Sequence, residues 1–246
     1  MAATPAAPTT VAPEGVAAML DVLEIVGRLK TTKRAGWVRV GVAAPESIAD
    51  HMYRMAVCGW FVNEAGVDAT RCVKIALAHD MAEALVGDIT PADGVPEEEK
   101  HARERAAMDH IGGALRAAGH ASAAAELMAA YEEYEGATTR EAVYVKDIDK
   151  FEMALQAYEY ERDQGGGGSR LSEFFDSVPP RLRTPLVGSW MAELATRRAA
   201  LPPTPPPSPS SVTYTAPSWW SACLFSGGVV VGAVLAAALI ARRRPG

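Results

Sequence analysis

Residues 73–88, VKIALAHDMAEALVGD, constrain the fold more than any other stretch of this chain. An apolar run carries them toward an interior, and then His79, Asp80 and Glu83 stand where a core helix would stay apolar. On one continuous helix, Glu83 lies a turn away from both His79 (i+4) and Asp80 (i+3). Charges without partners are costly in an apolar interior, so buried ones are paired or hold a metal. The stretch therefore predicts a metal site inside a helical domain.

The chain has 246 residues, 49% of them hydrophobic, enough for one sizeable domain with appendages. A net charge of −6 argues against a nucleic-acid polymer as partner, which needs clustered Lys and Arg on one face. It leaves room for a small anionic substrate held by a metal and one or two local cations. Cys58, Cys72 and Cys223 lie far apart without a CxxC spacing, as buried thiols in a reducing compartment do.

Taken in order, residues 1–14 are rich in Ala, Pro and Thr without periodicity and read as a disordered N-terminus. They lack a signal's apolar core, and Arg28 is the first basic residue. Beyond Gly15, Val16, Met19, Leu23, Val26 and Leu29 recur at helical steps. Residues 30–44 read as a loop carrying Arg34, Gly36 and Trp37. Ser47 and Asp50 form the pattern of a capping box, which opens a second helix and puts His51 in its first turns. Asp68 and Thr70 cap a third helix over residues 71–86, which Gly87 closes. Further helices follow, among them a long one containing VKDIDKFEM, then a GGGG tip and a last amphipathic helix over about residues 180–200. No period-2 strand is evident. The expectation is an all-α domain over residues 15–200.

After Leu201 the composition changes. Residues 201–218 form a Pro-rich linker. Residues 219–241 are uncharged, with Trp219 and Trp220 at their start, and a basic tail, 242–246, follows. This predicts a C-terminal single transmembrane helix. The expected arrangement is tail-anchored, with the domain facing the cytosol, on an organelle outer membrane.

A metal site at His79-Asp80 needs ligands from other helices. His51 is one candidate, and Asp147 or Asp149 in the long helix is another. Two His with two Asp suit Mn²⁺, Fe²⁺, Co²⁺, Ni²⁺ or Zn²⁺ rather than an all-oxygen Ca²⁺ cage. His101, His110 and His120 lie in polar or Ala-rich surroundings and read as surface.

His51, then His79-Asp80, then a distant Asp is an order that resembles the HD superfamily of metal-dependent phosphohydrolases. PESIADHMYRMAV, LAHDMAEALVGDITPAD, EEEKHARERAAM, YEEYE at 131–135 and VKDIDKFEMALQAYEYE closely resemble its HD domain-containing protein 2 branch, over residues 17–197. The resemblance implies an HD-domain helical bundle that forms a homodimer. It also implies a 5'-deoxynucleotidase, hydrolysing deoxyribonucleoside 5'-monophosphates to deoxynucleoside and phosphate. His51, His79, Asp80 and Asp149 would hold Mn²⁺ or Co²⁺. Asp149 is preferred over Asp147 because the family's aspartate precedes Xaa-Xaa-Glu-Met, here Lys150, Phe151, Glu152 and Met153. Glu83 and Asp88 match the family's catalytic acids, and with the Ile89 carbonyl they would hold a second ion, Mg²⁺. Trp37 matches a tryptophan beside the sugar that disfavours a 2'-hydroxyl. Bacterial relatives place an arginine directly before that tryptophan; here Gly36 stands there, and Arg34 is the nearest substitute. Two other readings are a different HD phosphohydrolase, acting on a cyclic nucleotide or an alarmone, and a membrane-tethered non-catalytic scaffold.

Overall fold

The computed structural model describes residues 13–164 and 171–202. Contacts divide the chain between Pro205 and Pro206, and the described residues all belong to the first unit. Ten α-helices occur among the described residues, and the only β feature there is an isolated bridge between Lys33 and Ser47. They are α1 (Pro13–Gly27), α2 (Ala35–Arg39), α3 (Ile48–Gly59), α4 (Ala69–Ala78) and α5 (Glu83–Val86). After these come α6 (Glu97–Ala117), α7 (Ala121–Gly136), α8 (Arg140–Gln164), α9 (Ser172–Asp176) and α10 (Pro185–Ala199).

The caps anticipated from sequence are present. Ser47 accepts a hydrogen bond from the Asp50 amide while Asp50 accepts from Ser47 N, closing a capping box at the start of α3. The Asp68 carboxylate accepts from the Thr70 and Arg71 amides at the start of α4. Gly87 takes φ 77°, a conformation that disfavours side-chain-bearing residues, at the end of α5.

α8 is the central element, packing on α3, α4, α7, α9 and α10. Its Val145, Ile148, Ala154 and Ala157 are buried with Met55 of α3 and Ile75 of α4 in the principal core. A second cluster joins Val22 of α1 to Met108 and Ile111 of α6 and Tyr131 of α7. Leu29, Ile48, Met52 and Ala84 form a third, which seats α5 on α3.

Three expectations are corrected. The loop over residues 30–44 contains α2, too short to be stable alone and held by contacts from elsewhere in the fold. The single helix over residues 71–86 is two helices, because hydrogen bonds spanning three residues (Met81 N to Ala78 O, Glu83 N to Asp80 O, Ala84 N to Met81 O) tighten the backbone between them. His79 and Glu83 are therefore not stacked on one regular helix. Finally, the membrane anchor is not upheld. No helix among the described residues is long and apolar enough to cross a membrane, and residues 219–241 lie outside them. The tail-anchored, cytosol-facing, organelle-membrane localisation rested on that span and is set aside with it.

α10 begins where α8 receives it. The fully buried Asp147 accepts from Arg183 N (2.7 Å), Thr184 N (2.7 Å) and Thr184 Oγ1 (2.9 Å). Asp147→Ala leaves the two buried Thr184 donors and the half-buried Arg183 amide unmet and should cost about 3 kcal/mol of stability in urea unfolding. Cation uptake at His51, His79 and Asp80 should change less than twofold.

Candidate metal centre

His51 enters the interior because the capping box fixes the first turn of α3, and it is fully buried. Its Nδ1 lies 2.5 Å from Glu152 Oε2, so its Nε2 faces the opposite way. There it approaches Asp149 Oδ1 at 3.3 Å and Asp80 Oδ2 at 3.7 Å. His79 caps the C-terminal end of α4, with Nδ1 2.9 Å from the Ala76 carbonyl and Nε2 3.0 Å from Asp80 Oδ2. The two imidazole centroids are 5.6 Å apart. Neither Nε2 is aligned for a hydrogen bond, and Glu83 Oε2 is also buried without one.

Ligand atoms of His51, His79 and Asp80 all lie within 4.8 Å of one another. Two imidazole nitrogens anchored at Nδ1, with Nε2 left unbonded beside carboxylates, fit a divalent cation. Asp149 stands outside this tight triad. It reaches His51 with one oxygen and accepts from Tyr134 Oη (2.8 Å) with the other.

The electrostatics have the same character. Burial opposes ionisation of Asp80, but His79, Arg34 and His51 hold its pKa down to about 2. Asp149 resists burial in the same way and is held well below the usual carboxylate range by His51, His79 and Arg34. Burial and Arg34 work against a charge on His51, yet Glu152 and Asp149 raise its pKa to about 10. Glu83 goes the other way: burial, then Asp80 and Asp88, push it well above the carboxylate range.

The remaining expected residues divide. Arg34, the residue before α2, places Nη1 3.4 Å from Asp80 Oδ2. Asp88 follows α5 and accepts from Ala35 N at 2.6 Å, which ties its loop to the first residue of α2; Ile89 comes next in that half-buried loop. Trp37 is 2% exposed, packs on Phe174 (4.4 Å) and Tyr160 (5.4 Å), and donates Nε1–H to Glu46 Oε1 (2.9 Å). It belongs to the core beside the centre.

Four residues escaped the sequence reading. Glu152 accepts from His51; Arg54 donates Nε–H to Glu152 Oε1 (2.7 Å); Tyr134 holds Asp149, its ring 4.8 Å from that of His79. Glu46 joins His51 and Glu152 in a second close group, and burial followed by Glu152 raises its pKa to about 7. The signal available was register, since Arg54 follows His51 by three and Glu152 follows Asp149 by three. A cleft of 580 Å³ opens over Glu46, Arg54 and Tyr160 on the Glu152 side of His51, and none of His51, His79, Asp80 or Asp149 lines it.

A cation binding His51 Nε2 must displace a proton held with a pKa of about 10, so uptake releases protons. Apparent Mn²⁺ affinity should rise as pH rises through neutrality. Calorimetry in buffers of different ionisation enthalpy should return about one proton released per cation. His79→Ala should abolish uptake.

An HD domain family model matches residues 26–186. The mouse (Mus musculus) 5'-deoxynucleotidase HDDC2 is 44% identical over 75% of this chain and 90% of its own length. The 5'-deoxynucleotidase hdd1 of Schizosaccharomyces pombe is 46% identical over 72% and 88%. Among solved structures, the PH0347 protein from Pyrococcus horikoshii OT3 superposes with a TM-score of 0.57 at 28% identity, covering 74% of this chain and 99% of that one. The chain belongs to the HD domain family, in the company of these 5'-deoxynucleotidases.

Proposed function

We propose that this chain is a metal-dependent 5'-deoxynucleotidase, hydrolysing deoxyribonucleoside 5'-monophosphates to deoxynucleoside and phosphate. The observation that carries this reading is the buried His51–His79–Asp80 cluster, in a chain 44% identical to a 5'-deoxynucleotidase over nearly all of that relative. His51, His79, Asp80 and Asp149 are the proposed ligands, with Mn²⁺ or Co²⁺ the ion the resemblance implies from among those that suit two imidazoles and two carboxylates. When bound, such an ion neutralises phosphoryl charge and acidifies water.

The chain's own groups account for the rest. Glu83 is buried one residue beyond the tightened turn, with an oxygen free of hydrogen bonds, and orients the attacking water, taking its proton only in the ionised form that a neighbouring divalent cation would favour. Asp88 protonates the departing deoxynucleoside oxygen, or shares a second ion, Mg²⁺, with Glu83 and the Ile89 carbonyl. Arg34, beside Asp80, receives the phosphate. Trp37 acts on sugar choice from within the core, by fixing the α2 wall that carries Arg34. The active form is a homodimer, as the resemblance implies.

With Mn²⁺ or Co²⁺, phosphate release from deoxyribonucleoside monophosphates should exceed that from ribonucleoside monophosphates at least tenfold. Equal rates would remove the sugar preference, and turnover confined to a cyclic nucleotide or an alarmone would replace the substrate class. Glu83→Gln should lower kcat about a hundredfold or more while the protein still carries its ion at His51 and His79.

A further inference from the structure

α3 and α8 each present two polar residues to the other, one turn apart. The first turn supplies His51 and Asp149, whose facing atoms are 3.3 Å apart. The second supplies Arg54 and Glu152, joined through Arg54 Nε (2.7 Å) and Nη2 (2.6 Å) to Glu152 Oε1. Glu152 has no exposure to solvent, and its other oxygen faces His51 Nδ1 at 2.5 Å. Arg54 is fixed in turn, with Nη1 on Glu159 Oε2 (2.6 Å) and Nη2 on Gln156 Oε1 (2.6 Å).

This chain of contacts has a direction. Gln156 and Glu159, one and two turns along α8 from Glu152, hold the guanidinium plane. The guanidinium occupies Oε1 and so sets the plane of the carboxylate. The carboxylate then presents Oε2 to Nδ1. Once a cation has displaced the Nε2 proton, a neutral imidazole that donates Nδ1–H has its lone pair on Nε2, the atom that faces Asp80 and Asp149. A planar, five-donor guanidinium meets three acceptors at once, which a lysine ammonium on a flexible stem does not.

We propose that Arg54 is a positioning residue of the metal centre. Through Glu152 it fixes the ring orientation and tautomer of His51, and so sets cation affinity from the far side of the imidazole. The inference rests on the proposed metal reading of His51 and His79. Arg54 itself touches neither cation nor substrate.

Mn²⁺ titration calorimetry and NMR of ¹⁵N-histidine-labelled, Zn²⁺-loaded protein test it together. Zn²⁺ serves there as a diamagnetic stand-in. Arg54→Gln and Glu152→Gln should each weaken Mn²⁺ binding about tenfold to a hundredfold and shift the hydrogen-bonded His51 Nδ1–H resonance upfield. Arg54→Lys should recover part of the affinity. Arg71→Gln is the control for a merely structural loss, since Arg71 makes a comparable part-buried pair with Glu133 (2.7 Å) away from the centre. It should lower stability and leave both readouts alone. The inference is overturned if the folded Arg54 and Glu152 variants bind Mn²⁺ within twofold of the parent with the resonance unmoved. It is overturned equally if Arg71→Gln weakens binding as much as Arg54→Gln. If the parent protein takes up neither Mn²⁺ nor Zn²⁺, the metal reading itself fails, a distinct result.

Discussion

A fully buried histidine between two carboxylates of one helix is the contact on which this structure turns. His51 can stand between Asp149 and Glu152 only if α3 and α8 lie side by side at that level, and the principal core is built at the same seam. The spacing on α8 then decides what each acid can do. At about 100° per residue, Asp149 and Glu152 lie some 60° apart and share a face. Asp147 lies roughly 200° from Asp149 and faces α10, where the Arg183 and Thr184 donors occupy it. Three acids within six residues thus serve a candidate metal centre, a histidine's orientation and a helix junction.

This division was partly legible beforehand. The caps at Ser47 and Asp68 and the period of α8 depend on local chemistry, and residues 47–50, 68–71 and 140–164 carry that chemistry in full. The all-α class follows from the same local signals, whereas the HD-domain bundle was implied by the resemblance of residues 17–197. α2 was not legible because five residues have no helical stability of their own. It exists where the Asp88 carboxylate meets Ala35 N and where Trp37 is packed by Phe174 and Tyr160. The break between α4 and α5 was missed for a related reason. LAHDMAEAL has no Gly or Pro to mark it, and the turn is fixed by packing of Ala82 and Ala84 on two separate clusters.

Arg54 and Glu152 show a different limit. A charged residue three places from a site residue looks like ordinary solvated helix surface, and only the pairing of α3 with α8 reveals that the two meet in the interior. The membrane anchor rested on a different kind of signal, the composition of residues 219–241 read with no fold context, and those residues lie outside the described ones. Local patterns identify helices and caps well. Which side chains end up facing each other across helices depends on the assembled core.

The charge balance of the centre makes the cation a precondition for the chemistry proposed here. Asp80, Glu83, Asp88 and Asp149 gather around Arg34, near the C-terminal end of α4. Arg34 is the arginine among them, and Lys146 lies over the Tyr134 ring at 3.8 Å. A phosphate monoester brings charge of the same sign as those acids. Arg34, Lys146 and a protonated His51 only balance Asp80, Asp88 and Asp149, with Glu83 held neutral by burial and its acidic neighbours, so the centre has no surplus positive charge for a phosphate. A divalent ion at His51 Nε2 would replace that proton with a larger charge. The acids that leave the centre without positive charge for a phosphate are thus the same groups that would hold a divalent ion.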